Sequence, residues 1–124
     1  MSAVTNMPTT EDITLVRDKA VLNNLVIVVE RNLQEIKGSS YLFTKLYIAV
    51  TQLILNRINA DLRLIHQDMR QRKIKITAED RQDDILYFNY TCRGYQDRFG
   101  VMREALRTEM SLRLGSYVKV VIGT

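Results

Sequence analysis

The chain has 124 residues, 46% of them hydrophobic and 26% charged, with 18 basic and 14 acidic side chains and a formal net charge of +4. That length gives one domain, and the composition excludes disorder, a collagen-like repeat and a disulfide scaffold. Five glycines and one proline leave little material for turns, so long helices are expected. The single cysteine, Cys92, cannot form an internal bridge. The absence of a leader-like start and of any apolar run of about 18 residues leads to the expectation of a cytoplasmic protein with a reduced thiol and no membrane span.

Residues 1 to 8 are small and polar, end in Pro8 and show no periodicity, which reads as a disordered N-terminus. Residues 9 to 124 then form a single domain. Thr9 or Thr10, followed by Glu11 and Asp12, is a helix start: a hydroxyl can accept from an unpaired backbone N–H, and carboxylates favour the positive end of the helix dipole. Leu15, Leu22, Val29 and Ile36 recur every seven residues, with Val26 and Leu33 completing a coiled-coil-like seam. A helix from Thr10 to Lys37 follows, closed by Gly38 in a left-handed conformation.

Ser39 or Ser40 is the expected cap of a second helix reaching Arg72, through Leu46, Leu53, Ile54, Ile58, Ile65 and Met69. The short connection makes the two helices an antiparallel hairpin. The second helix is expected to outreach the first and leave part of its apolar face uncovered.

The period then changes. Lys73 to Thr77 alternates polar and apolar residues, as does Leu86, Phe88, Tyr90, Cys92, with the polar segment from Ala78 to Asp84 as the connection. This is β-hairpin patterning, ended by Gly94. Phe99, Met102, Leu106 and Met110, three or four residues apart, predict a third helix that stops at Gly115. The β-branched tail from Tyr117 to Ile122 fits a third strand or an extension of that helix, with a slight preference for the strand. The fold class expected is mainly α (α+β), a long antiparallel helical hairpin followed by a small β-hairpin and a third helix.

Basic and acidic residues balance in residues 1 to 62 and again in 76 to 124, so the entire excess charge falls in residues 63 to 75. There Arg63, His66, Arg70 and Lys73 share a helical face, with Arg72 and Lys75 close by. Such a stripe can release counterions from a polyanion, although so few cations support only weak, salt-sensitive binding. Basic residues near a helix C-terminus also simply complement its dipole. Arg93-Gly94-Tyr95 matches the opening of an RNA-recognition pattern, but Gln96 and Asp97 break it.

With one histidine and one cysteine the chain alone cannot build a cysteine-rich zinc site. Cys92 on an inward strand face is an inert small hydrophobe rather than a nucleophile for His66 to activate. Glu79-Asp80 and Asp83-Asp84 lack EF-hand spacing and read as turn formers. The sequence carries no phosphate-loop, dinucleotide, nucleophile-elbow or zincin motif. The expectation is a non-enzymatic interaction or regulatory module without a cofactor, forming a homodimer, in the simplest case a four-helix arrangement, through Leu46, Leu53, Ile54, Ile58, Ile65 and Met69. The alternative is a weak nucleic-acid or polyanion binder using Arg63, Arg70, Arg72, Lys73 and Lys75.

Overall fold

The structure, a computed structural model, describes residues 7–123. Helices α1 (Thr10–Lys37) and α2 (Thr44–Gln71) form an antiparallel hairpin. Strands β1 (Ile74–Gln82), β2 (Ile85–Cys92) and β3 (Tyr95–Met102) form an antiparallel meander in the order β1-β2-β3, and helix α3 (Arg103–Ile122) closes the chain. The expected fold class is the one observed, with a third strand added. No helix among the described residues is long and apolar enough to cross a membrane. The expected disordered start falls mostly on residues 1 to 6, which lie outside the described residues.

Helix α1 begins as its residues require. The Thr9 hydroxyl accepts from the Asp12 backbone N–H at 3.1 Å, while the Asp12 carboxylate accepts from the Thr9 N–H at 2.9 Å, a reciprocal capping box. Its seam residues Leu22, Val29 and Leu33, joined by Leu25, are buried against Ile54, Leu55 and Ile58 of α2. Each such side chain contributes about 1.5 to 3 kcal/mol by leaving water.

Several sequence expectations need correction. Helix α2 starts at Thr44 rather than Ser40, because the Tyr41 carbonyl accepts from both the backbone N–H and the hydroxyl of Thr44 and turns the chain there. The two helices of the hairpin therefore have 28 residues each, and α2 does not outreach α1. The strand connection is not a seven-residue loop: Glu79 and Asp80 lie within β1, and only Asp83-Asp84 separates Gln82 from its partner Ile85. Asp83 adopts φ 53°, a conformation that a short polar side chain tolerates. Phe99 and Met102 belong to strand and cap rather than helix. Alternation within Tyr95–Met102 turns Phe99 and Val101 toward the core, and the Arg93-Gly94 turn, with φ 51° and 88°, has both central residues positive as a tight hairpin requires.

The glycines need correction too. Gly38 closes α1 with φ −80°, not left-handed, and α3 runs through Gly115 to Ile122, where Gly123 supplies the left-handed cap at φ 81°. The β-branched tail is helical because Leu114, Tyr117, Val118 and Val121, at helical spacing, pack on the hairpin core. Tertiary burial overrides strand propensity here.

The sheet lays one face on the hairpin. Leu86, Phe88, Tyr90 and Cys92 of β2 are buried, in contact with Val16, Ala20 and Val21 of α1 and Met69 of α2. On the outer face Tyr87 lies across its register partner Gly100, where a Cβ would come within 2.8 Å of the ring. The Arg98 guanidinium stacks on the same ring at 3.7 Å from its centre.

Candidate functional site

The sequence-selected apolar residues of α2 divide between two environments. Ile54, Ile58 and Met69 are buried inside the chain, Ile58 at 0% exposure, and Ile65 is half-buried between two core clusters. For Ile54, Ile58 and Met69 the expected place in an oligomer interface is therefore corrected: α1, α3 and the sheet already cover them. Leu46 and Leu53 remain exposed at 55% and 52%. They lie two turns apart on one face of α2, next to the exposed run Tyr41, Leu42, Phe43 and Tyr47, in which Leu42 is 90% exposed. Leu53 also lines an open groove of about 410 Å³ with Ala60, Arg57 and Asn56 of α2 and Val120 and Val121 of α3. The bundle thus ends in an apolar tip.

The basic residues divide as well. Arg72 is not available to a polyanion: its guanidinium reaches Asp68 at 3.0 Å, Glu11 at 3.1 Å and Asp12 at 3.2 Å, and these carboxylates, Asp68 foremost, raise its pKa above the ordinary value. Lys73 occupies the turn into β1 at φ 57°, and its carbonyl accepts from the Arg93 backbone N–H. Arg63 and Arg70 line a cleft of about 550 Å³ between the two long helices, together with His66, Gln67, Asn59 and Leu62 of α2 and Lys19 and Asn23 of α1. Lys75 lines an adjoining recess of about 420 Å³ that shares Lys19, His66 and Arg70 and has Met69, Ile74 and Ile76 as its apolar wall.

Lys19 and Asn23 were missed because the charge count of α2 says nothing about the helix opposite. The signal existed only coarsely in the hairpin geometry: Lys19 lies 18 residues before the end of α1 and His66 22 residues after the start of α2, so antiparallel pairing brings them within about one helical turn of each other. The Lys19 Nζ lies 3.1 Å from His66 Nδ1.

Beside this cleft lies a buried ionic node that sequence reading also missed. Asp12, 1% exposed, accepts from Arg93 at 2.7 Å, from Arg72 at 3.2 Å, and from the Cys92 thiol at 3.5 Å. Burial pushes the Asp12 carboxyl up, but the hydrogen bonds from the Thr9 backbone, Arg93, Arg72 and the Thr9 hydroxyl outweigh it and hold the group well below the usual carboxylate range. Burial, and next the Asp12 charge, pushes the Cys92 thiol up, which disfavours the thiolate that nucleophilic chemistry needs. Arg93 also donates to the Met7 carbonyl, tying down the chain just before α1.

The described residues therefore form a three-helix protein with a sheet meander, an apolar tip at one end and a basic cleft near the other. A model of the YhjD protein family matches residues 7–121, and the chain belongs to that family. No curated protein and no solved structure matches it.

Proposed function

We propose that the chain is a non-catalytic interaction and regulatory module that self-associates through its apolar tip. The observation that carries this reading is the exposure of Tyr41, Leu42, Phe43, Leu46 and Tyr47 at one end of the bundle, with exposed Leu53 two turns further along the same face of α2. Contiguous apolar side chains in water mark an interaction surface. Between Ser39 and Tyr47 only Lys45 is charged, so two copies can bring these surfaces together with little charge to desolvate. A two-fold pairing is the simplest closed arrangement, and the Leu53–Val120 groove offers a recess beside the stripe for a partner's side chains. The buried, hydrogen-bonded state of Cys92 supports the non-catalytic part of the reading.

Light scattering or sedimentation over roughly a hundredfold range of protein concentration tests it. The expected result is a dimer that dissociates on dilution, with Leu46→Asp and Leu53→Asp each monomeric and unchanged in circular dichroism. A wild-type monomer throughout that range, or folded variants that keep the dimer mass, overturns the reading. Ile58→Asp is unsuited to this test, because a charge at a fully buried site unfolds the chain.

A further inference from the structure

The cleft between α1 and α2 presents cations from two elements in a concave space. Arg63, His66 and Arg70 follow one face of α2, and Lys19 meets them from α1. No carboxylate belongs to the lining of the cleft or of the recess that continues it toward Lys75. Elsewhere the helices set arginine against acid, as in Arg17 with Glu109 at 2.8 Å and Arg113 with Asp18 at 2.6 Å. Among the described residues, Lys19, Arg63, Arg70 and Lys75 make no ion pair. Lys19 is half-buried, and its side-chain contact is the His66 ring rather than a carboxylate. Like charges gathered in a concavity raise the local positive potential and stabilise an anion there beyond what the same charges do on a convex face.

We propose that this cleft binds a small phosphorylated molecule, a nucleoside or sugar phosphate, independently of any self-association at the tip. The two arginines supply planar forks matched to phosphate oxygens, Lys19 adds a point charge, and the His66 ring adds a further polar group. Asn23, Asn59 and Gln67 offer paired donors and acceptors to the hydroxyls or base of such a ligand, and Leu62 gives it an apolar contact. Size selects the class. The volume of about 550 Å³ falls in the range of small-molecule sites, and Arg63 to Arg70 spans only about 10 Å of helix. A nucleic-acid duplex carries a charge every 1.7 Å or so and would extend past this cluster on both sides.

Calorimetric titration of the full chain with ADP and with glucose 6-phosphate, at about 50 mM and 200 mM salt, tests the proposal. The expected result is saturable binding of at least one compound, weakened by salt. Affinity should fall about tenfold in Arg70→Gln and in Lys19→Gln, the scale of one charge-assisted hydrogen bond. Both side chains reach solvent, so the variants keep the wild-type dichroism, and Arg63→Gln serves as a third if either does not. Arg31→Gln, on α1 far from the cleft, should bind as the wild type. Three results overturn the proposal: no saturable binding of either compound up to about 10 mM, equal affinity in the folded cleft variants, or tighter binding of a duplex oligonucleotide lost through the same substitutions.

Discussion

At the end of the helical hairpin that meets the sheet, Asp12 is 1% exposed and receives hydrogen bonds from α1, the end of α2 and the β2–β3 turn. At the opposite end Leu42 is 90% exposed, and the residues around it carry almost no charge. The chain has thus placed its most polar burial where three elements meet and its most apolar exposure where only two helices turn. Burial of a carboxylate is tolerated at the first because two guanidiniums and a capping threonine replace its hydration. Nothing comparable is asked of the second, where a short connection simply leaves large side chains outside. One end is specified by what the chain does to itself, while the other leaves large apolar side chains in solvent.

Breaking the first end should have the largest effect. Asp12→Ala removes the partner of two arginines and half of the capping box. A loss of about 3 kcal/mol is expected in urea denaturation, the low side for a broken buried pair because Arg72 and Arg93 keep some contact with water. A loss under about 1 kcal/mol, the worth of the cap alone, would remove the node from this role.

Acid probes the same end more gently. A carboxyl whose pKa is lowered by folding contributes stability that is fully present above its unfolded value, near 3.8, and is lost as pH falls from there through the lower folded value. Stability of the wild type should therefore decline below about pH 4, and in Asp12→Ala that decline should be shallower than in the wild type. Parallel slopes for the two proteins between about pH 5 and pH 2 would assign acid sensitivity to other carboxylates.

The contrast between the ends also marks how far the residues could be read in advance. The extent of the first helix was legible, since Thr9 or Thr10, Asp12 and the seven-residue seam are local signals, although the conformation of Gly38 at its end was not. The helical hairpin and the β2 alternation were legible for the same reason. The third strand was not, because Phe99, Met102, Leu106 and Met110 sit at helical spacing although strand and helix each own two of them. Neither was the helical tail, whose β-branched residues are outvoted by the core on which Tyr117, Val118 and Val121 pack. Of the candidate sites, the cationic excess of residues 63 to 75 was legible as charge but not as shape. Arg72 turned inward to acids that lie some 60 positions earlier, and Lys19 arrived from the other helix. The apolar face was legible as a stripe, but α1, α3 and the sheet together decide which of its residues remain outside.

The smallest effect separates the two ends most sharply. Replacing Leu42 with serine at the tip removes an apolar side chain that is already in water. At concentrations where the protein is monomeric, its unfolding free energy should therefore stay within about 0.5 kcal/mol of the wild type. At high concentration the two should diverge, because a partner that binds only the folded form adds stability by mass action, and the variant forfeits part of that gain. The measurement is thermal unfolding of both proteins across the concentration range used for light scattering. A loss above about 1 kcal/mol in the dilute regime would mean that Leu42 packs within its own chain, and equal concentration dependence of the two midpoints would mean that the tip meets no second copy.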